Sequence, residues 1–131
     1  MNGPKVGYVS PPVGNQVTRV FFGIPDRFFD LDTMRDLVLK ALAAEKFTIC
    51  GQTSHPFPPR GFTLLVLLAE SHLAIHTTVE FGTVYVELYS CRGVDDGMKT
   101  MEIIGQALEA QGLLLDTRIQ VPVKQANAGD D

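Results

Sequence analysis

Residues 62–91 hold three apolar, β-rich runs, FTLLVLLA (62–69), HLAIHTTVE (72–80) and TVYVELYSC (83–91), joined by connections of two residues each. A parallel crossover needs a dozen residues or more, so the three runs must be antiparallel neighbours in one sheet. The first run is apolar at every position but one, as expected of a strand covered on both faces. Glu70, Ser71 and His72 nevertheless interrupt the apolar sequence. Burying a carboxylate and a hydroxyl without partners is costly, so this break requires either water or specific contacts.

The rest of the chain extends the same sheet. VTRVFFGI (17–24) is rich in β-branched and aromatic residues and is stopped by Pro25, which predicts a strand. Met34, Leu37, Val38, Ala41 and Leu42 recur at helical spacing, with Asp30 or Asp32 able to cap that helix. KFTICGQT (46–53) predicts a strand, and HPFPPRG (55–61) a loop whose three prolines would hold Phe57 in place. Asp95 and Asp96 are expected to open a second helix along Met98, Met101, Ile104, Gly105 and Leu108, closed by Gly112. LLLDTRIQV (113–121) is a last strand.

The order β-α-β-β-β-β-α-β predicts an α+β, two-layer sandwich, a mainly antiparallel sheet with two helices on one face. Residues 1–16, with Pro4, Pro11 and Pro12, are expected to form a flexible arm, 17–121 the single domain and 122–131 a polar tail. The face without helices, apolar at 62–69, predicts packing on a second copy as a homodimer.

Composition narrows the partners. A net charge of −4 with no basic cluster argues against nucleic acid, and a small molecule is expected instead. No apolar run reaches the roughly 20 residues that span a bilayer. The N-terminal MNGPKVGYVSPPVG lacks the features of a signal peptide, which predicts a cytoplasmic protein. Cys50 and Cys91 lack metal-ligand spacing and are read as thiols.

Strand alternation puts His72, His76 and Glu80 on one face, with the two histidines about 13 Å apart, too far to share a metal ion. If Phe81-Gly82 is a two-residue turn, Glu80 pairs with Thr83, His76 with Glu87 and His72 with Cys91, give or take one residue. Cys91 then lies beside the Ser71-His72 peptide. Spacing alone leaves two readings: a nucleophilic site of Ser, His and Cys, or a capped sheet edge with a turn hydroxyl and small core residues. The Gly-x-Ser-x-Gly elbow of a Ser-His hydrolase is missing.

Glu70-Ser71-His72, His76, Glu80 and Cys91 together resemble the bacterial and archaeal S-adenosylmethionine decarboxylases, small pyruvoyl-dependent enzymes. The likeness covers residues 14–121 and is densest at 55–91. It implies self-cleavage between Glu70 and Ser71. The Ser71 hydroxyl attacks the Glu70 carbonyl, and the resulting ester undergoes β-elimination and hydrolysis, leaving a β chain 1–70 and an α chain headed by a pyruvoyl group. No metal and no pyridoxal phosphate are implied.

By the same resemblance His76 is the base that removes the Ser71 α-proton, supported by the hydroxyl of Thr63, which stands where a serine is usual. The pyruvoyl ketone forms a Schiff base with the substrate amine and accepts the electrons left by CO₂. Cys91 is implied as the acid that protonates the product carbon. Glu80 matches a ribose-hydroxyl ligand and Phe57 an adenine-stacking aromatic, whose π face also attracts a sulfonium. The implied activity is S-adenosylmethionine decarboxylation for polyamine (spermidine) synthesis, by a homodimer of cleaved αβ units.

Several positions depart from the family pattern. Gly14-Asn15-Gln16-Val17 and Val20 replace the usual Gly-x-His-Leu and its following acid. Thr78-Val79 replaces Trp-Pro, Glu87 an aspartate, and Arg92 the glycine after the cysteine. The cleavage residues are untouched, while nucleoside recognition is left open. Arginine or ornithine as substrate, or a non-processing binding homologue, are the alternatives.

Overall fold

The computed structural model describes residue 9 and residues 11–124. It contains β1 (Val13–Phe22), α1 (Leu31–Ala44), β2 (Ile49–Pro56), β3 (Phe62–Leu68), β4 (His72–Thr78), β5 (Thr83–Ser90), α2 (Met98–Ala107) and β6 (Gly112–Pro122). Short 3-10 turns lie at Asp26–Phe29 and Val79–Phe81. The six strands form one sheet in the order β2-β3-β4-β5-β1-β6, and every pairing is antiparallel. Both helices pack on one face, giving the expected α+β sandwich.

Alternation explains which face is which. In β3, Phe62, Leu64, Val66 and Leu68 are buried under the helices, whereas Leu65 and Leu67 face outward and are exposed. Leu73 and Ile75 of β4 and Val84, Val86 and Leu88 of β5 continue the buried layer. Met34, Val38, Ala41 and Leu42 of α1, with Met101 and Ile104 of α2, close it from above. The opposite face carries Thr63, Leu65 and Leu67, then His72 and His76, then Tyr85, Glu87 and Tyr89.

Several boundaries differ from expectation. β1 starts at Val13, so residues 13–16 of the expected arm are strand, paired with both β5 and β6. Pro122 of the expected tail ends β6. The remaining arm and tail expectations at 1–8, 10 and 125–131 lie outside the described residues. α2 is not opened by Asp95 or Asp96. Its N-cap is Gly97, and the amides of Gly97 and Thr100 donate to the Glu45 carboxylate, 2.9 and 2.8 Å away, at the end of α1. A cap supplied from another helix leaves no local sequence signal. α2 also ends at Ala107, with Glu109 in the left-handed region at φ 55°, while Gly112 begins β6.

The β4–β5 connection is not a two-residue turn. Val79–Phe81 coils into a 3-10 turn that Gly82 ends at φ 62°, a conformation L side chains resist. This lengthens the loop to four residues and shifts the register by two. His72 pairs with Tyr89 rather than Cys91, and His76 with Tyr85 rather than Glu87. Thr83 pairs with Thr78 rather than Glu80, which leaves the strand for the turn, but because the shift is even His72 and His76 stay on their expected face.

Between the two candidate caps of α1, the structure selects Asp30, whose carboxylate accepts from the Thr33 amide at 3.0 Å and its hydroxyl at 2.8 Å. These bonds, led by the amide, hold the Asp30 pKa below its ordinary value of 3.8. A depressed native pKa stabilises the fold above the unfolded value and loses that contribution as pH falls through the native one. Asp30→Ala is therefore expected to lower Tm at pH 7. In paired melts the deficit should shrink as pH drops below about 3.8.

Candidate active site

The Glu70-Ser71 peptide lies in the tightest bend of the sheet. The Leu68 amide donates to the Ser71 carbonyl at 2.9 Å, and the Ser71 amide returns to the Leu68 carbonyl at 3.4 Å. Ala69 and Glu70 thus form a two-residue loop between β3 and β4. The Ala69 amide is tied to the Thr48 carbonyl at 3.0 Å. Ser71 is only 9% exposed.

Cys91, at the end of β5, is buried and points its Sγ at the Glu70 carbonyl oxygen, 3.6 Å away. Ser71 and Cys91 therefore meet at one end of the hairpin, as the sequence predicts, although the register differs. The loop after Cys91 is heavily anchored. The Arg92 guanidinium binds the Asp96 carboxylate at 2.8 to 3.1 Å and donates to the carbonyls of Lys46 at 2.9 Å and Glu45 at 3.0 Å. It also lies 3.7 Å over the Phe47 ring. The bond to Asp96 pushes the Arg92 pKa up against partial desolvation, with smaller charge effects from Asp96, Glu45 and Glu70. In the sequence Arg92 stands out only as a departure, since its partners other than Asp96 are 45 or more residues away.

The other site residues gather at the opposite end. Thr63 pairs with His76 across β3 and β4, with Thr63 Oγ1 3.4 Å from His76 Nδ1. The His76 ring tilts against Tyr85 at 5.6 Å. Glu80 sits in the exposed 3-10 turn beyond β4, and Phe57, 47% exposed, in the loop before β3. Phe57 borders a cleft of about 580 Å³ shared with Phe29, Asp30 and Arg60. From Ser71 to His76 is five residues of extended chain, about 16 Å. Ser71, the adjacent His72 and Cys91 thus share one end of the hairpin, whereas His76 lies at the other within a single chain.

Next to Ser71, His72 Nε2 lies 3.5 Å from the Glu87 carboxylate and its ring stacks on Tyr89 at 6.0 Å. Glu87 was expected opposite His76 and instead lies beside His72, while Tyr85 and Tyr89 were not singled out in the sequence as contacts of the histidines. They would have been legible had the four-residue loop been recognised.

Comparison with known proteins places this arrangement. The family profile described as S-adenosylmethionine decarboxylase matches residues 17–117. The chain belongs to the S-adenosylmethionine decarboxylase family. The S-adenosylmethionine decarboxylase proenzyme of Pseudomonas paraeruginosa is 33% identical over 101 residues, 77% of this chain and 63% of that protein. The proenzyme of Acidithiobacillus ferrooxidans is 32% identical over 99 residues, 75% of this chain and 74% of that one. The match thus spans less than two thirds of the length of the Pseudomonas relative. The crystal structure of the adenosylmethionine decarboxylase from Aquifex aeolicus shares the fold, with a TM-score of 0.81 at 22% identity over 91% of this family member and 98% of that chain.

Proposed function

We propose that this chain is a self-processing, pyruvoyl-dependent decarboxylase acting on S-adenosylmethionine, cut between Glu70 and Ser71. The observation that carries the reading is the buried Glu70-Ser71 peptide, held in a hydrogen-bonded bend with the Cys91 thiol against its carbonyl oxygen. A serine hydroxyl attacks the preceding carbonyl only when that peptide is held in a reactive geometry, and the Leu68–Ser71 bonds supply such a constraint. Negative charge develops on the Glu70 oxygen during that attack, where the Cys91 S–H is directed. The printed names of the relatives support both the proenzyme character and the substrate.

The resulting pyruvoyl group would supply an electron sink for the carbon that loses CO₂. This chain's residues do the remainder. Ser71 provides the atoms of the group, in a pocket nine-tenths shielded from water. Cys91 holds at Sγ the proton for the product carbon. At the far end, Phe57 offers its ring to the base and the sulfonium, and Glu80 its carboxylate to the ribose hydroxyls. His76, oriented by Thr63, takes the Ser71 α-proton during cleavage.

The distance between the two groups of residues makes the homodimer part of this reading. One chain holds Ser71 and Cys91 about 16 Å from His76 along the strand, so it cannot bring them to a common substrate. A second copy laid two-fold across the open face sets one chain's Ser71 end opposite the other's His76 end. The exposed Leu65 and Leu67 on that face support association there.

Incubated protein should resolve into two chains on denaturing electrophoresis and release CO₂ from S-adenosylmethionine. A chain that stays at 14.3 kDa would defeat the reading, and release from arginine or ornithine alone would change the substrate. Ser71→Ala should stay intact, whereas Cys91→Ala should still be cut yet lose about 10²-fold or more in kcat. Mixing Ser71→Ala with His76→Ala chains tests the shared site. Cleavage of the His76→Ala chain should appear only in the mixture, and its failure there would confine the site to one chain.

A further inference from the structure

We infer that the outer edge of β6 is an interface for the β6 edge of a second copy of this chain, the two strands pairing antiparallel about a two-fold axis at Thr117. The inference goes beyond the decarboxylase reading and depends on neither cleavage nor turnover.

β6 ends the sheet order, and among the described residues it pairs with β1 alone. It is 11 residues long, and every position from Leu113 to Gln120 is exposed. Such an edge presents a row of amides and carbonyls to any strand that fits it, and proteins blunt the hazard with bulges, prolines and charges. Here the bulge, opposite Val20 and Phe21, lies at one end of the strand and Pro122 at the other. They bound a regular stretch without interrupting it. Only Asp116 and Arg118, of opposite sign, remain inside that stretch to decide what can pair there.

The ladder to β1 sets which backbone groups point outward. The Val123 amide donates to the Pro12 carbonyl at 3.0 Å, and the two strands keep one register from there to Val20. Hydrogen-bonded pairs alternate in an antiparallel ladder, so Leu115, Thr117, Ile119 and Val121 direct their backbone groups to β1, whereas Asp116, Arg118 and Gln120 turn theirs away from it. A second strand must set outward residues against outward residues. Axes at Asp116, Thr117 or Arg118 all satisfy this. The first opposes two aspartates and the last two arginines, and like charges directly opposite are destabilising. The axis at Thr117 instead opposes Asp116 to the second copy's Arg118, twice by symmetry. It also opposes Leu115 to Ile119, both exposed and apolar, and Thr117 to itself.

Both charged side chains keep capacity for this second contact. Asp116 bonds Arg19 through Oδ1 at 3.0 Å and is still 49% exposed. Arg118 bonds the Val94 carbonyl and, at 2.9 Å, Asp95, both through Nη2, so Nε and Nη1 of its planar fork are left for a carboxylate. Those bonds lie on the helix side of the sheet, where Arg19 also meets Glu102 of α2. Alternation therefore puts Leu115, Thr117 and Ile119 on the open face, continuous with the apolar face that carries Leu65 and Leu67. An interface of backbone groups at the edge leaves that face uncovered. Combined with the homodimer proposed above, it builds a dimer of dimers.

Disulfide cross-linking reads the register, in a Cys50→Ser background that removes the exposed native thiol. Thr117→Cys chains should join under mild oxidation at micromolar protein, since directly opposed residues of a non-hydrogen-bonded pair bring their Cα atoms to about 4.5 Å. Ile119→Cys and Leu115→Cys should each fail alone, because like positions lie about 13 Å apart along the strands, and should join when mixed. No cross-link from Thr117→Cys, or one from Ile119→Cys alone at the same rate, would overturn the inference. Sedimentation at the same concentration reads the assembly without engineered thiols. Arg118→Glu turns each opposite-charge pair into a like-charge one and should halve the mass of the parent assembly, while mixing with Asp116→Lys chains should restore it. Equal masses for the parent and Arg118→Glu would overturn the interface, as when a segment of the same chain occupies the edge instead. If none of the three amines is decarboxylated while Thr117→Cys cross-links, the decarboxylase reading fails and the interface stands.

Discussion

The ladder between β3 and β4 sets the scale on which everything else in this molecule is arranged. Five paired positions run from Thr63 with His76 to Leu67 with His72, and the strands are closed beyond by the mutual bonds of Leu68 and Ser71. Alternation along it sends Phe62, Leu64, Val66 and Leu68 into the core. Rotating the strand to bring any outward residue inward would therefore expose the core as well. The polar residues are consequently fixed in two groups at opposite ends of a rigid element, and no side-chain rotation closes a gap of about 16 Å. The proposed self-cleavage would depend on that separation as much as on the residues themselves.

A second constraint comes from the helix ends. α1 finishes with Glu45 in the cap position and Lys46 in the left-handed region at φ 64°, which turns its last carbonyls toward the loop after β5. Glu45 caps α2 with its carboxylate while its carbonyl accepts from Arg92. One residue thereby joins both helices to the Cys91 loop. Opposite charges are well matched there, because an acid sits at the α2 N-terminus and a cation at the α1 C-terminus. The helices do more than cover the sheet, since the end of α1 also binds the loop that follows Cys91.

Much of this was legible in the sequence for physical reasons that can be named. The apolar run FTLLVLLA and the spacing of His72 and His76 in HLAIHTTV identify two strands, and the second its polar face, without any knowledge of partners. The stripe of Met34, Val38, Ala41 and Leu42 does the same for α1. The polar break at Glu70-Ser71-His72 singles out that end of the hairpin, and only the family resemblance reads it as a cleavage point. What stayed hidden depends on distant contacts. The trans cap of α2 by Glu45 joins residues more than 50 positions apart, and the Arg92 clamp spans 46. The loop at Val79–Phe81 was misread because Phe81-Gly82 alone fits a tight turn, whereas Thr78-Val79 gives no breaker signal. The separation of His76 from Ser71 was implicit in strand rise, yet it becomes visible only when the two ends of the hairpin are placed.

The open face joins these constraints. Leu65 and Leu67 on β3 and Ile119 on β6 border a central strip of His72, His76, Tyr85, Glu87 and Tyr89. A wholly apolar face would bind a second copy but leave nothing to do chemistry, and a wholly polar one would resist desolvation. Here the polar strip carries partners of its own: His72 with Glu87, and His76 with Thr63. Groups already paired lose less when water is withdrawn than unpaired ones. In the proposed homodimer, apolar contacts at the margins of this face would drive association while the strip kept its internal contacts. The same closure would shelter the Glu70-Ser71 end from water as it meets the residues it lacks.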